Sequence, residues 1–341
     1  MITAIWTIII FCVLVAIHEF GHFFTAKLSG ITVHEFAIGM GPKLFGFQKG
    51  GTKYTLRLLP IGGYCQMEGE DGESSDRNAF CNKAAWKRLI VLVAGAAMNL
   101  LLGFVIYCIV ISSGAMLTSN QMGEMGANSA VAEAGFLPGD RIVYAQGEQV
   151  SSKIRNYNDL SFFLMRNGNR PVTLTVERDG KRISGYVELR YDEQTGRYLF
   201  GFNKVDDPVT VGNVLKYGWW ESCFAVKMVV YSIGGLITGQ VPISDLSGPV
   251  GIVSAINTSA KQGVMPVLYL AALISINLGV ANLLPIPALD GGRVLFLAIE
   301  KIRRKKMKPE HEGMVNMIGF ALLMLLILVV TVGDVRRIFG G

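Results

Sequence analysis

The chain has 341 residues, of which 51% are hydrophobic and only 17% are charged. An ordinary soluble domain is less apolar and more highly charged, so the composition indicates a membrane protein. The formal net charge of +6 comes from basic residues that flank apolar stretches. Anionic lipid accounts for this distribution, so we expect a lipid bilayer and no nucleic acid as the partner of the basic residues.

Four apolar stretches are long enough to cross a bilayer, whose hydrocarbon core takes about 20 residues of helix. They lie at residues 3–26, 89–112, 266–288 and 314–333. The first lacks a basic leader and a small-residue cleavage site, which predicts a mature span rather than a signal peptide. Segments 27–88 and 289–313 hold nine and seven Lys and Arg residues, the latter including the run Arg303–Lys306. Because short basic loops stay inside, both segments are predicted to be cytoplasmic and both termini extracytoplasmic.

The first span contains "HEFGH", in which two histidines and a glutamate interrupt an apolar run. A rotation of 100° per residue leaves His18 and His22 about 40° apart on one helix face, so both imidazoles can reach one metal ion. Glu19 lies beside them, where it can take a proton from water, and H-E-x-x-H on a helix is typical of zinc hydrolases. Ionisable groups in a span cost about 2.5 to 3.5 kcal/mol each and mark functional sites. Satisfied core histidines and the lining of a polar pore are the structural alternatives.

The loop after the first span contains "TKYTLRLLPIGGYCQMEG", residues 52–69. Alternating apolar residues followed by a proline and two glycines predict a β-hairpin tethered near the membrane. An edge strand of this hairpin would offer free N–H and C=O groups to an extended substrate, whereas the alternative is a hairpin that only packs on the protein. The residues predicted to pair with substrate are Tyr54, Leu56, Leu58, Gly62 and Gly63. In the second span Gly95 and Asn99 lie four apart, a spacing that favours close helix packing.

A segment with a different texture follows the second span. The runs "RPVTLTVERDG" and "RISGYVELRYD" predict strands, and "NDLSFFLMRNG" predicts a helix. The stretch "NSAVAEAGFLPGDRIVYAQGEQV" resembles the start of a PDZ domain, which binds extended peptides at a sheet edge. A Gly-Leu-Gly-Phe-like carboxylate-binding loop is absent from the sequence, so a domain that only plugs or spaces stays an alternative. Residues 209–262 are predicted to include an interfacial helix with Trp219 and Trp220 near the headgroups.

The third span ends in "GVANLLPIPALDGGR", where Pro285 and Pro287 break the helix. Irregular backbone at membrane depth is tolerated only where it is buried or lines a wet cavity. Asp290 is predicted to sit on this unwound stretch at the depth of the two histidines, as the third ligand that zinc requires besides water. Asn282, above the break, is predicted either to donate to a developing oxyanion or to bond a freed carbonyl.

The motifs "HEFGH" and "NLLPIPALDGG", with "PIGGY" and "LSGPVGI", resemble those of the site-2 protease family, zinc proteases that cleave within the membrane, and most closely its bacterial RseP-type branch. The resemblance implies that His18, His22 and Asp290 bind Zn²⁺, that Glu19 activates water and that Asn282 helps to handle substrate. It also implies that residues 52–69 form the membrane-facing hairpin. The outer segment has room for one PDZ-like domain, whereas many RseP-type proteins carry two.

The predicted fold is a polytopic α-helical membrane protein with four transmembrane helices, a membrane-associated β-hairpin and an inserted extracytoplasmic PDZ-like domain. Its predicted parts are residues 1–112 with the first two spans, 113–203 with the PDZ-like domain, 204–265 as a membrane-associated segment, and 266–341 with the last two spans.

The predicted function is cleavage of pre-trimmed single-pass membrane proteins in a bacterial inner membrane. The resemblance implies anti-sigma factors and remnant signal peptides as substrates. The site would lie near the cytoplasmic face, and the outer domain together with residues 209–262 would act as a gate. A catalytically inactive scaffold that holds peptides through the PDZ-like domain, and a metal transporter, are the alternatives.

Overall fold

The computed structural model describes residues 2–70, 72–126, 129–192, 197–242, 246–305 and 309–339. Lys306, which belongs to the basic run used for the predicted orientation, and the two ends of the chain lie outside these residues. The chain divides into two compact units. The first unit comprises Met1–Tyr107 and Glu221–Gly341, and the second comprises Cys108–Trp220. The predicted PDZ-like domain, residues 113–203, falls within the second unit.

Helices dominate the first unit, because a helix satisfies its own backbone hydrogen bonds in an apolar environment. Two of them, α2 and α5, continue from one unit into the other. In chain order the helices are α1 (Ile2–Leu28), α2 (Ala85–Ser112), α3 (Ala130–Glu133), α4 (Tyr157–Asn167), α5 (Val211–Ile237), α6 (Pro249–Gln262), α7 (Val264–Asn282), α8 (Asp290–Arg303) and α9 (Pro309–Phe339). The strands are β1 (Val33–Lys49), β2 (Thr52–Met67), β3 (Thr118–Met125), β4 (Arg141–Gln146), β5 (Ser151–Lys153), β6 (Val172–Arg178), β7 (Lys181–Val187), β8 (Arg190–Asp192), β9 (Arg197–Leu199) and β10 (Phe202–Asp206).

Among the described residues, five helices are long and apolar enough to cross a membrane: α1, α2, α5, α7 and most of α9. Four of them lie at the predicted windows, which confirms that the chain has the helices of a multi-pass membrane protein. The fifth, α5, is the least apolar of the set and occupies the region predicted to hold an interfacial helix.

The third predicted span is shorter than its window. Helix α7 ends at Asn282 rather than at residue 288, and α8 begins at Asp290. The break between them contains Pro285 and Pro287, as the sequence predicts. Asp290 is therefore the first residue of a new helix and not part of an unwound stretch, and its carboxylate lies where a helix N-terminus favours negative charge.

Strands β1 and β2 form one bent sheet, because segments of each strand pair with two different segments of the other. The segment at 35–38 pairs with 63–66 on one side and with 53–56 on the other, while 53–56 also pairs with 45–48. The four segments lie in the order 63–67, 33–38, 53–56 and 45–49. The predicted hairpin within residues 52–69 is therefore wrong in its pairing: β2 is a single strand, and β1 is its partner.

Two apolar clusters flank the "HEFGH" motif along α1. Before the motif, Ile10 and Leu14 are buried against Ile256 of α6 and against α7. After it, Ala26 and the residues that follow α1 are buried against Val91 of α2 and the end of β2. Burial of apolar side chains on both sides holds the polar residues of α1 between α2, α7 and the β1–β2 sheet.

The second unit contains a sheet with strand order β10-β3-β4-β6-β7, in which β5 also pairs with β4, a separate β8–β9 pair, and the helices α3 and α4. The predicted strands and helix are confirmed as β6, β7 and α4. Asn156 caps α4 by accepting from the Asp159 backbone N–H at 3.1 Å. Buried side chains from the sheet and from both helices, among them Leu160, Phe163 and Leu174, make one apolar core.

Candidate metal centre

Helix α1 places both histidines of "HEFGH" on one face, as their spacing predicts. The Nε2 atoms of His18 and His22 lie 3.2 Å apart, and the two rings meet edge to face. The Nδ1 atom of His22 lies 2.8 Å from the carbonyl oxygen of Val91. A carbonyl only accepts hydrogen bonds, so Nδ1 of His22 donates and its Nε2 carries the lone pair.

Asp290 reaches the histidines because the chain between α7 and α8 turns back tightly on the start of α8. A side chain at Gly291 would collide with the backbone of Leu284 and Leu283, and a side chain at Gly292 would collide with the carbonyl of Ile286. The "LDGG" motif therefore needs both glycines for a steric reason. Ala288 adopts a left-handed backbone conformation (φ 72°), which completes the turn just before Asp290.

The three predicted ligands meet in a small triangle. Asp290 Oδ2 lies 3.2 Å from Nε2 of His18 and 3.3 Å from Nε2 of His22. Ligands of a tetrahedral zinc ion with bonds of about 2.0 to 2.2 Å lie about 3.3 to 3.6 Å apart, so the three atoms are spaced as one ion requires. Asp290 Oδ2 is buried and accepts no hydrogen bond from the described residues. The donor set and its spacing fit a metal ion better than a network of hydrogen bonds.

Helix α2 approaches the histidines at Gly95. A Cβ atom at this position would lie 2.7 Å from Cε1 and 2.8 Å from Nε2 of His18, and closer still to Nε2 of His22. The absence of a side chain is what makes room for the two imidazoles. Sequence reasoning assigned the spacing of Gly95 and Asn99 to helix packing alone, and it missed that both positions face the predicted metal ligands.

A cavity of about 550 Å³ opens onto the site. Glu19 lines it together with the three predicted ligands, as do Arg293 and Glu70, which form an ion pair. Residues 64–67 of β2 also line the cavity. Water, an acidic side chain and an extended strand of the protein can thus all be brought to the same place.

The predicted substrate-pairing residues do not all lie on a sheet edge. Tyr54 pairs with Phe36 and Phe47, and Leu56 pairs with Ile38 and Phe45, so the backbone of both is occupied on both sides. The prediction of free pairing groups at Tyr54 and Leu56 is therefore wrong.

Gly62 and Gly63 lie at the start of the 63–67 segment, which borders the site: a Cβ atom on Gly63 would lie 3.2 Å from Cγ of Glu19. Leu58 is exposed. Asn282 is the last residue of α7 and is not among the described residues that line the cavity.

Comparisons with known proteins identify the family of the chain. The model of peptidase family M50 matches residues 6–326. A Clostridium acetobutylicum protein with the provisional name zinc metalloprotease is 41% identical over 335 residues, which cover 96% of each chain. Zinc metalloprotease RasP of Bacillus licheniformis is 34% identical across 99% of this chain and 100% of its own. Regulator of sigma-W protease RasP of Bacillus subtilis is 32% identical across 99% of both chains.

The alignment with the B. licheniformis protein runs over 425 positions, more than the 341 residues present here, so that relative has segments without a counterpart in this chain. The family match extends over most of the chain and includes both halves of the candidate metal centre. The resemblance to site-2 proteases that the motifs indicate is thereby confirmed, and the chain belongs to peptidase family M50.

Proposed function

We propose that the protein is a zinc-dependent endopeptidase that cleaves transmembrane segments of membrane proteins within the bilayer. The observation that carries the proposal is the triangle of His18, His22 and Asp290, which joins two distant parts of the chain beside Glu19. The site is built on α1, one of the helices long and apolar enough to span a membrane. Ionisable groups at such a position need a functional reason.

These three residues would hold Zn²⁺. A zinc ion held by them would act as a Lewis acid that polarises the scissile carbonyl and makes water more acidic. Glu19 takes the proton of the attacking water and delivers it to the leaving amine, because its carboxylate faces the same cavity. We place Asn282 in a supporting role, as a donor to the oxyanion or to a freed carbonyl near the break after α7.

A substrate segment has to leave its helical form before cleavage, since the carbonyls of a helix are bonded and crowded. We propose that the unwound segment pairs with residues 62–67 of β2, which lie at one end of the strand order and line the cavity. Main-chain pairing at a sheet edge holds an extended peptide independently of its sequence. Of the residues predicted to pair with substrate, the proposal keeps Gly62 and Gly63 and leaves out Tyr54 and Leu56.

Four crossings are supported by the position of α6. Thr3, at the start of α1, bonds Asn257 of α6 at 2.7 Å, and Gly251 of α6 donates to Asp334 near the end of α9 at 2.7 Å. Helix α6 has 14 residues, a length of about 21 Å, which is too short to cross. It therefore lies at the face of the membrane opposite the loop between α1 and α2. Helix α2 ends at that same face. A crossing by α5 would carry the chain to the opposite face, away from α6, so we infer that α5 does not cross.

We propose that the termini and the PDZ-like domain lie outside a bacterial inner membrane and that the metal centre lies near its cytoplasmic face. The PDZ-like domain would then meet the extracytoplasmic remains of membrane proteins that other proteases have shortened. One relative is named a regulator of sigma-W protease. We accordingly propose single-pass proteins such as anti-sigma factors, and remnant signal peptides, as substrates.

The experiment compares wild type, Glu19→Gln and Glu148→Gln in proteoliposomes with a model single-pass substrate. Glu148 is exposed in the second unit, so its variant controls for the loss of a carboxylate elsewhere. We expect Glu19→Gln to lower the cleavage rate by about 10²- to 10⁴-fold while its zinc content stays at the wild-type level. Removal of zinc should abolish cleavage by the wild type. Cleavage that persists in Glu19→Gln and without zinc would favour the peptide-binding scaffold instead.

A further inference from the structure

The two nitrogens of His18 face different surroundings. Its Nε2 atom points at Asp290 and His22, the other two predicted ligands. Its Nδ1 atom lies 3.3 Å from the Nδ2 atom of the Asn99 side chain on α2. Asn99 is completely buried, although an amide is costly to bury without partners.

The role of His18 fixes where its proton must be. A histidine that ligates a metal through Nε2 keeps the lone pair there and carries its proton on Nδ1. The Nδ1–H group is then a donor and needs an acceptor. In most metal sites a nearby carboxylate, carbonyl or water accepts this hydrogen bond. His22 has such an acceptor in the carbonyl of Val91, at 2.8 Å.

Asn99 can supply the acceptor for His18. In the structure its Nδ2 atom faces Nδ1 of His18, and its Oδ1 atom is buried without a hydrogen-bond donor in the described parts of the chain. A rotation of 180° about the Cβ–Cγ bond exchanges the two atoms within nearly the same volume. After the exchange Oδ1 faces Nδ1–H of His18, and the unsatisfied oxygen has a donor.

The backbone around Asn99 is held in place for this task. Ser275 of α7 donates from Oγ to the Asn99 carbonyl oxygen at 2.7 Å, and Ser275 is also completely buried. Val91, Gly95 and Asn99 lie at intervals of four residues and so follow one face of α2. This face offers three features in turn. Val91 supplies an acceptor for His22, Gly95 leaves space for both rings, and Asn99 lies beside Nδ1 of His18.

We propose that Asn99 is a positioning residue of the metal centre, which accepts a hydrogen bond from Nδ1–H of His18 and thereby directs the Nε2 lone pair of His18 at the zinc ion. The proposal rests on the proposed function, because it assumes that His18 is a zinc ligand. It goes beyond that function in giving α2 a part in metal binding through two acceptors on one face, the Val91 carbonyl and the Asn99 side chain.

The test uses two variants of nearly equal shape in the full-length protein in detergent. Asn99→Asp keeps an acceptor for Nδ1–H, and Asn99→Leu removes it. Zinc affinity is measured by competition with a chelator. We expect Asn99→Leu to lose about 10- to 100-fold in affinity, and Asn99→Asp to stay within about 3-fold of wild type. Equal affinities in all three proteins, or an equal loss in both variants, would overturn the proposal in favour of packing.

A second measurement does not depend on how the variants fold. The chain has four histidines, so ¹⁵N-labelled imidazoles of the zinc-loaded wild type can be resolved by NMR. We expect the Nδ1–H proton of His18 to show the downfield shift of a hydrogen-bonded proton, and the shift of a free N–H proton would refute the role of Asn99. Failure of the proposed function is seen separately, because it appears as cleavage that survives Glu19→Gln, whatever the order of the zinc affinities.

Discussion

Replacement of Gly95 by alanine separates metal binding from stability. The new Cβ atom would lie 2.4 Å from Nε2 of His22 and 2.8 Å from Nε2 of His18. Non-bonded atoms rest at about 3.5 Å, so the His22 ring has to move by roughly 1.1 Å and the His18 ring by roughly 0.7 Å. Metal–ligand distances tolerate about 0.2 Å. Alanine also stabilises a helix interior by about 0.5 to 1 kcal/mol relative to glycine. We therefore expect a folded protein that binds zinc at least about 100-fold more weakly. This loss exceeds the one expected when only a hydrogen-bond partner of a ligand is removed.

The control is Gly103→Ala, two turns further along α2. Its Cβ atom would lie 2.5 Å from Cγ1 of Ile276 on α7, a similarly tight contact but away from the histidines. Zinc content by mass spectrometry, chelator competition and thermal unfolding are measured on both variants and wild type. Gly103→Ala should lower the melting temperature and keep zinc. Gly95→Ala should stay folded and lose zinc. Wild-type zinc affinity in Gly95→Ala, or an equal loss in Gly103→Ala, would refute the reasoning.

Three further variants test other parts of the structure. Asp290→Ala should lower zinc affinity by more than the roughly 10- to 100-fold expected for an outer partner, as measured by chelator competition. Gly63→Ala should slow cleavage with zinc retained, because its Cβ atom would lie 2.8 Å from the carbonyl oxygen of Ala37 and 3.2 Å from Cγ of Glu19. An unchanged turnover would count against a part for this strand in placing Glu19. In the second unit, the hydrogen bond from Arg178 holds the pKa of the buried Asp140 carboxyl below its usual range. The stabilisation is present above the ordinary value of about 3.9 and is lost as the pH falls through the native value. Hydrogen exchange in Asp140→Asn should accordingly be faster than in wild type at pH 7, with a difference that shrinks below pH 4.

The candidate metal centre could be predicted to a large extent because its parts are local motifs. The helical repeat puts His18 and His22 on one face of α1. Prolines such as Pro285 and Pro287 break a helix wherever they occur in its interior. The exact form of the break could not be predicted. Whether Asp290 ends an unwound stretch or begins α8 depends on how closely the backbone of Leu284 can pack over Gly291, which is a property of the folded chain.

The sheet of the first unit shows where sequence reasoning stops. Alternation at Tyr54 and Leu56 correctly predicts a strand, since the side-chain period of two is a local property. Which strand lies at an edge depends on pairing between segments up to 34 residues apart, such as Val33 with Met67 or Phe36 with Tyr54. Alternation carries no information about such partners, so the predicted set of pairing residues included Tyr54 and Leu56, which are paired on both sides, as well as Gly62 and Gly63.

The sequence by itself determined the kind of protein and its chemistry: apolar windows of membrane-spanning length, a His-Glu-His motif and a distant Asp, each readable within a few residues. Only the tertiary structure decided what surrounds these groups. It assigned Gly95 to the space that the imidazoles occupy and Val91 and Asn99 to the positions beside their Nδ1 atoms. The physical reason is that ligand types are fixed by local spacing, whereas the orientation of a ring is fixed by atoms that another helix brings to it.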